Sequence, residues 1–275
     1  MFMSGGSRGI GLEIAKRAAR DGAKIALVAK TSEPHPKLPG TIHTAAAEIE
    51  EAGGEALPIV GDIRDADGVD AAVAQTVEKF GGIDLVVNNA SAINLAPMRD
   101  LEVKRFDLMQ QINARGTFVV TRACLPHLRE SDHAHVLTLS PPLSADPKWL
   151  RGHSAYTLSK MGMTMITLGV AADEAEAGVA ANCLWPRTMI ATAAVQNLLG
   201  GDEAMSRSRM PSIVADAAYE ILRRDPRECS GNTFIDDEIL AEAGILDLDP
   251  YAGTPDAELA LDIFVDGWPE GAAAR

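Results

Sequence analysis

The chain of 275 residues has few of the groups that mark secreted, membrane-spanning or metal-binding proteins. Its three cysteines, Cys124, Cys183 and Cys229, lie far apart, which excludes a disulfide framework and indicates a reducing compartment. No apolar run approaches the roughly 18 residues needed to cross a bilayer, and no basic region followed by an apolar stretch resembles a signal peptide. We therefore expect a cytoplasmic protein without a membrane span.

The chain also has fewer basic than acidic residues. The 25 lysines and arginines are outnumbered by 39 acidic residues, and the net charge of −14 argues against nucleic acid as a partner. Acidic residues are concentrated late, so residues 236–275 are expected to form an acidic, solvated tail packed on the rest of the chain. His133 and His135 lack a carboxylate or thiol at metal-ligand spacing, so we predict surface histidines and no metal site.

Short apolar runs alternate with helical patterns along the chain, and most are bounded by glycine or proline. The runs predict strands at 2–3, 25–29, 56–60, 85–88, 136–139, 179–184 and 232–235. Helices are predicted at 10–21, 41–52, 66–80, 101–129 with an interruption near Asn113, 154–177 and 211–224. This alternation predicts an α/β protein, a Rossmann-type doubly wound parallel sheet with helices on both faces. No repeat or linker divides residues 1–275, so we expect a single domain.

A glycine-rich turn joins the first predicted strand to the first predicted helix. It reads Ser-Gly-Gly-Ser-Arg-Gly-Ile-Gly over residues 4–11, and glycines there let the backbone approach a pyrophosphate at the helix N-terminus. Residues 5–9 also fit the nucleophile elbow G-x-S-x-G of hydrolases, although an elbow does not usually follow the first strand. The pattern favours a dinucleotide site, and its predicted members are Gly5, Ser7, Arg8, Gly9, Ile10 and Gly11.

Residues at the ends of the next strands indicate which dinucleotide binds. An NAD-binding protein would place an acidic residue at the end of the second strand, whereas Lys30 and Thr31 stand there and Arg8 lies in the turn. Two cations without a carboxylate favour the 2′-phosphate of NADP, so we predict NADP, with NAD the less favoured cofactor. Further cofactor contacts are predicted from Asp62, Ile63, Asn89 and Ala90.

Tyr156 and Lys160 are four residues apart in the predicted helix 154–177, so their side chains lie on one face. An ammonium group beside a phenol favours the phenolate and lowers its pKa from about 10. Such a phenol can exchange a proton with an alcohol or a carbonyl near neutral pH. A surface tyrosine followed by a solvated lysine has the same spacing, and the dinucleotide pattern favours the proton-transfer interpretation.

Taken in order, these motifs resemble the short-chain dehydrogenase/reductase family over nearly the whole chain. The turn resembles its cofactor motif, Asn-Asn-Ala-Ser at 88–91 resembles its fourth-strand motif, and Tyr156 with Lys160 resembles its catalytic pair. The resemblance implies an oxidoreductase acting on CH–OH, in which Tyr156 is the general acid or base. It further implies that Lys160 holds the nicotinamide ribose and that Asn113 holds a water linking Lys160 to solvent. A homodimer or homotetramer through the helices at 101–129 and 154–177 is also implied.

Residues 29–42, 139–143 and 184–188 resemble more closely one branch of that family, the hydroxysteroid dehydrogenase-like protein two branch. Members of this branch often carry a C-terminal sterol-carrier domain, and we expect the present chain to lack one. A lipid-carrying role is therefore not implied by the resemblance.

Two positions depart from the family pattern. The usual double serine is Ser140-Pro141 here, so Ser140 and Ser144 compete to polarise the substrate oxygen, and the strand-end position favours Ser140. Arg187 stands where a glycine is usual after the proline. The cofactor contacts implied there are Pro186 and Thr188, with Thr192 competing for the nicotinamide carboxamide.

Bulky apolar residues follow the fifth and sixth predicted strands and would line a substrate pocket: Leu143, Trp149, Trp185, Met189 and Ile190. Core or subunit packing would explain them equally well. The sequence predicts an NADP(H)-dependent oxidoreductase that interconverts a hydrophobic alcohol and its ketone or aldehyde. An NADP-binding sensor or scaffold with little activity is the alternative, because Pro141 disrupts the serine arrangement.

Overall fold

The computed structural model describes residues 1–34 and 38–269, so residues 35–37 and the end of the predicted tail lie outside the described residues. Within this range, parallel strands form one sheet in the order β3-β2-β1-β4-β5-β6-β7. The strands are β1 (Phe2–Ser4), β2 (Lys24–Ala29), β3 (Glu55–Val60), β4 (Leu85–Asn88), β5 (His135–Leu139), β6 (Ala180–Trp185) and β7 (Thr233–Ile235). The predicted Rossmann-type parallel sheet is confirmed.

Helices connect the strands. They are α1 (Gly9–Ala19), α2 (Ile42–Glu51), α3 (Ala66–Phe80), α4 (Val103–Ile112), α5 (Ala114–Leu128), α6 (Pro147–Leu150), α7 (Ser154–Asp173), α8 (Gly201–Ser206), α9 (Ser212–Leu222) and α10 (Asp236–Glu242). The sequence did not predict α6, α8 or α10, because four to seven residues carry too little periodicity to be distinguished from a loop. No helix among the described residues is long and apolar enough to cross a membrane.

Helices cover both faces of the sheet, because its strands are apolar on both sides. One face packs against α1, α2 and α9 through a core that includes Ile14, Ile49 and Ile213. The opposite face packs against α3 and α5 through residues such as Val73 and Val120. The strand order reverses between β1 and β4, and in sheets of this kind a crevice for ligands opens at the carboxyl ends of those strands.

The helical stretch predicted at 101–129 is interrupted at Asn113, as expected. Asn113 lies between the last residue of α4 and the first residue of α5, with a φ of −72° and a ψ of −79°. Its side-chain oxygen accepts a hydrogen bond from the backbone N–H of Ala92 at 2.7 Å, and its amide donates to the carbonyl oxygen of Ala92 at 2.9 Å. The interruption therefore fixes the loop that follows β4.

Two predictions about polar residues are wrong. The stretch after β7 does not begin as a solvated tail, because Asp236 and Asp237 are 0% and 8% exposed. Both face the interior, where Arg187 pairs with Asp237. His135 is not a surface residue, since it is 1% exposed in β5 and its Nε2 lies 3.0 Å from the carbonyl oxygen of Arg224. The described histidines, cysteines and acids form no group of three or more suited to a metal ion.

Candidate active site

A cleft of about 680 Å³ opens at the carboxyl ends of β1, β2, β3 and β4. Most of the predicted cofactor residues line it: Gly5, Ser7, Arg8, Gly9, Ile10, Lys30, Asp62, Ile63, Asn89 and Ala90. Residues that the sequence reasoning did not single out also line it, among them Leu38, Ile93 and Ile112. The signal of Leu38 and Ile93 in the sequence was weak, because isolated apolar residues in loops have no periodicity, whereas Ile112 is the last residue of α4.

The glycine-rich turn is shaped for close approach of a ligand to the backbone. Gly5 has a φ of +77°, and a Cβ there would lie 2.8 Å from the Cα of Ala90. Gly11 is not among the residues that line the cleft. A Cβ on Gly11 would lie 2.5 Å from the amide nitrogen of Asn89, so this glycine allows the Asn89 side chain to pack against α1. No side chain caps the first turn of α1, which begins after Arg8. Its free N–H groups fit the pyrophosphate of a dinucleotide.

Charged side chains surround the end of the cleft next to β2 and β3. The Lys30 side chain is 57% exposed, and its Nζ lies 3.6 Å from a carboxylate oxygen of Asp62. Arg64 binds the same carboxylate at 2.5 Å. The hydrogen bonds from Arg64 lower the pKa of Asp62 to about 2, so this acid is ionised at neutral pH. Lys30 is therefore a positive group that a ligand in the cleft can reach.

Arg8 has a structural contact in addition to its predicted role. Its Nε donates to the carbonyl oxygen of Pro39 at 3.0 Å and its Nη2 donates to that of Gly40 at 3.1 Å. These bonds tie the turn after β1 to the loop after β2. Arg8 still lines the cleft, as Lys30 does, while it supports the loop.

Tyr156 and Lys160 lie in the first two turns of α7, where the four-residue spacing puts both on the face that meets the sheet. They are 5% and 2% exposed. The Nζ of Lys160 donates to the carbonyl oxygen of Leu139, the last residue of β5, at 2.6 Å. It also lies 5.0 Å from the centroid of the Trp185 ring. Burial lowers the pKa of Lys160 to about 7, so this amine can exchange a proton near neutral pH.

The expected lowering of the Tyr156 pKa by Lys160 does not hold in this arrangement. Burial raises the pKa of the phenol far above its ordinary value, and the carboxylate of Asp262 raises it further. A hydrogen bond with the Ser91 side chain acts in the opposite direction. Desolvation dominates here because the phenol is covered by other side chains.

Asn113 connects the cleft to the tyrosine through one further residue. Its amide nitrogen donates to the hydroxyl of Ser159 at 2.8 Å, and that hydroxyl donates to the backbone carbonyl of Tyr156 at 2.8 Å. Asn113 is 0% exposed. The described contacts make it a structural link between the loop after β4 and α7, and its predicted role in holding a water stays a prediction.

The structure separates the candidate serines. Ser140 is 0% exposed, and its hydroxyl has no hydrogen-bond partner among the described residues. Ser144 accepts a hydrogen bond from the backbone N–H of Asp146 at 3.2 Å in the loop after β5. Ser91 is the hydroxyl that lowers the pKa of Tyr156, against the larger effect of burial. Sequence reasoning gave Ser91 no role, although it closes the quoted motif 88–91, which was the available signal.

Thr192, and not Thr188, lines the cleft. Thr188 is 0% exposed and pairs through its backbone with Leu261 in an antiparallel bridge. Pro186 is buried at the end of β6. In this arrangement the segment around Leu261 covers Thr188, so contacts of Pro186 and Thr188 with a cofactor stay predictions.

The predicted substrate-pocket residues lie in three different environments. Leu143 is 48% exposed, whereas Ile190 is 3% exposed and belongs to the core beneath α9. Trp149 and Trp185 surround the ring of Phe264, and each ring centroid lies 5.9 Å from that of Phe264. The sequence reasoning missed Phe264, because the residues after 236 have weak periodicity.

Phe264 has an unusual backbone conformation. Its φ is +72°, in the left-handed region, which costs a non-glycine residue roughly 1–2 kcal/mol. Its ring is 25° from parallel to that of Tyr156, with the centroids 6.2 Å apart. The aromatic contacts offset the backbone strain, and they cover the phenol that the sequence assigns to proton transfer.

Comparison with known proteins agrees with this geometry. Residues 1–201 match the family model for short chain dehydrogenases. Hydroxysteroid dehydrogenase-like protein 2 of Danio rerio is 52% identical over 270 residues, which are 98% of this chain and 64% of that protein. The chain therefore spans less than two thirds of this relative's length.

Two solved structures are similar over almost the whole chain. A protein from Xanthomonas campestris is 55% identical with a TM-score of 0.94, and 97% of each chain is covered. A short chain dehydrogenase from Mycobacterium thermoresistibile is 60% identical with a TM-score of 0.93, covering 98% of this chain and 96% of that one. With the turn after β1, the paired Tyr156 and Lys160 and these matches together, the chain belongs to the short-chain dehydrogenase family.

Proposed function

We propose that this protein is an NADP(H)-dependent oxidoreductase that interconverts a hydrophobic alcohol and its ketone or aldehyde. One observation carries the proposal. The cleft that begins at the glycine-rich turn extends to Ala92, whose backbone is linked by hydrogen bonds through Asn113 and Ser159 to the backbone of Tyr156. The site for a dinucleotide and the site for proton transfer are therefore adjacent.

The residues divide the work of the reaction. When bound, NADPH supplies the hydride, so the protein has to supply a proton and hold the reactants. Tyr156 would protonate the carbonyl oxygen as it gains negative charge, and it would accept that proton in the reverse direction. Lys160 would hold the nicotinamide ribose and return the proton to the tyrosine. Ser91 and Ser140 are the hydroxyl candidates for polarising the substrate oxygen.

The function is tested with purified full-length protein. NADPH binding is measured by titration calorimetry, and turnover is measured as loss of NADPH absorbance with a panel of aliphatic and aromatic ketones and aldehydes. The proposal requires binding together with turnover of at least one hydrophobic carbonyl compound. NADPH binding without any turnover would instead favour the sensor or scaffold function.

Lys30 is the proposed determinant of NADP preference, because it directly follows β2, its ammonium group is exposed and no acidic residue stands in its place. We expect Lys30→Asp to weaken NADPH binding about ten-fold to a hundred-fold, the loss of one charged hydrogen bond, with no loss of NADH binding. Calorimetric titration of both cofactors measures the change. Lys79→Asp is the matched control, since Lys79 is 52% exposed beside Glu55 and does not line the cleft. Equal effects of both substitutions would contradict the assignment.

A homodimer or homotetramer is proposed through α5 and α7. These helices expose Phe118, Leu158 and Met165, which are 52%, 57% and 64% accessible. We expect Leu158→Glu to convert the oligomer to a monomer, because it places a charge in an apolar contact. Light scattering measures the mass. Leu246→Glu changes a leucine outside these helices that is 77% exposed, and it should leave the mass unchanged. A monomeric starting protein would refute the proposal.

The proposed location is the cytoplasm. The three cysteines are free thiols, and all of them are buried. Free thiols are typical of proteins in a reducing compartment, where disulfides rarely form.

A further inference from the structure

Residues 262–268, called the strap below, run across the end of β6 next to the proposed catalytic pair. An antiparallel run leads into the strap, in which the N–H of Met189 donates to the carbonyl oxygen of Ala260 at 2.9 Å. The N–H of Asp262 then donates to the carbonyl oxygen of Arg187 at 2.8 Å. The strap therefore lies where the chain after β6 would otherwise be open to a substrate.

The ring of Phe264 is the centre of an aromatic cluster at this place. It meets Trp149 and His153 at angles of 62° and 84°, with centroid distances of 5.9 and 6.0 Å. It lies nearly parallel to Tyr156 and is tilted by 59° against Trp185. Edge-to-face and offset-parallel contacts are the arrangements that aromatic rings prefer. The surrounding side chains thus form a site suited to one flat, apolar ring.

The two halves of the active site differ in accessibility. The half that begins at the glycine-rich turn is an open cleft of about 680 Å³, and its lining residues include Ser91 but not Tyr156 or Lys160. The half around Tyr156 is filled by Phe264, and Tyr156 is only 5% exposed. A cofactor can enter the cleft, whereas a substrate cannot reach the phenol until the ring moves.

The strap is held in a way that permits such a movement. Phe264 has a left-handed φ of +72°, and strained residues of this kind are found at ligand clamps and switches. Among the described side chains that anchor the strap, Trp185 donates to the carbonyl oxygen of Ile263 at 2.8 Å and Arg187 donates to that of Gly267 at 2.6 Å. The guanidinium group of Arg209 lies 5.8 Å from the centroid of the Trp268 ring. Lys148 also pairs with Asp266, whose side chain is 76% exposed. Release of the ring relieves the strain while few bonds are broken.

We propose that the strap is the gate of the substrate site, and that Phe264 occupies the place of a flat apolar group of the substrate. This inference rests on the proposed function and adds a substrate class, a ketone or aldehyde with an aromatic or other planar unsaturated group next to the reacting carbon. Acetophenone has this form, and cyclohexyl methyl ketone is a probe of similar size without the flat ring.

The first test is the kinetics of Phe264→Ala with acetophenone. Without the Phe264 ring, the substrate no longer has to displace a side chain from its site. We therefore expect KM to fall about ten-fold or more, because a closed conformation lowers the apparent affinity by the fraction of protein that is open. Phe80→Ala is the matched control, since it removes a partly buried ring at the end of α3, away from the strap and the cleft, and it should leave KM within about two-fold. A rise in KM for Phe264→Ala, or equal changes in both variants, would overturn the inference.

The second test uses the unaltered protein and does not depend on turnover. Hydrogen exchange of residues 260–268 is measured with NADP⁺ alone and with NADP⁺ plus acetophenone, a pair that binds without reacting. Acetophenone should accelerate exchange in the strap, and cyclohexyl methyl ketone at the same concentration should do so less. Tryptophan fluorescence measures ketone binding in parallel.

The outcomes separate this inference from the proposed function. Absence of NADPH consumption with every ketone would refute the function, while ketone binding and strap exchange would still report on the gate. Acetophenone binding with unchanged or slower strap exchange would refute the gate. Failure of acetophenone to bind either the unaltered protein or Phe264→Ala would refute the substrate class.

Discussion

Phe in place of Tyr156 should reduce turnover by a factor of about 10² to 10⁴ and leave NADPH binding unchanged, because the substitution removes only the proposed proton donor. The Tyr156 ring packs against that of Phe264, with the ring centroids 6.2 Å apart. Phenylalanine keeps the ring and therefore the packing. The measurements are NADPH consumption with the best ketone of the panel and calorimetric titration of NADPH.

The matched control for this substitution is Tyr219→Phe. The Tyr219 ring lies under the guanidinium group of Arg17 at 3.4 Å, on α9 and away from the cleft. This variant should keep full turnover. Retention of turnover within a few-fold by Tyr156→Phe would assign proton transfer to another group, with Ser91 the first candidate.

Replacing Arg187 with methionine should lower the free energy of unfolding by about 3–5 kcal/mol, as breaking a buried ion pair does. The side chain of Arg187 is 5% exposed and donates to Asp237 at 2.5 Å. Asp236 is 0% exposed beside it and accepts from the Arg187 N–H at 2.9 Å. Methionine fills part of the same volume but leaves the buried carboxylate of Asp237 without its closest partner. Urea unfolding at neutral pH measures the loss.

The pH dependence of unfolding provides a further check on this cluster. Burial raises the pKa of Asp236 from 3.8 to about 7. Because the folded-state pKa is above the unfolded one, stability from this group is full below pH 3.8 and is lost as the pH rises through 7. We expect the effect of Arg187→Met to be larger at pH 8 than at pH 5, since acid removes negative charge from the cluster.

Arg223→Met is the control for a surface ion pair. Arg223 is 61% exposed and lies 3.4 Å from Glu220, so its loss should change the free energy of unfolding by at most about 1 kcal/mol. Losses of equal size for the two arginines would show that the buried cluster does not stabilise the fold.

The sequence predicts the parts of this protein that local pattern determines. The periodicity of apolar residues and the glycines and prolines between the apolar runs predicted the sheet. The turn after β1 and the residues after β2 and β3 predicted side chains that do line the cleft, including Lys30 and Asp62. The break at Asn113 was also predictable, because a polar residue there interrupts the helical pattern. These features depend on residues that are close in sequence.

Features that depend on distant parts of the chain were not predictable. Phe264 contacts Tyr156 only because the chain after residue 236 runs back to the end of β6, and the periodicity of the sequence does not predict that path. Asp236 looked like part of a solvated acidic run, since the sequence does not show that Arg187 enters the same interior. For the same reason the covering of the phenol, and with it the direction of the Tyr156 pKa shift, required the structure.

The position of β1 in the sheet has a consequence for the order of folding. Phe2 pairs with Ala26 on one side and with Val86 on the other, so this strand is complete only after β4 has been synthesised and has docked. Contacts between residues so distant in sequence form slowly, because the chain between them loses conformational entropy on closing before the contacts can stabilise the fold. The glycine-rich turn follows directly after β1, and its Gly5 packs against Ala90. Cofactor binding therefore becomes possible only late in folding, and a bound cofactor stabilises the sheet at the strand that is completed last.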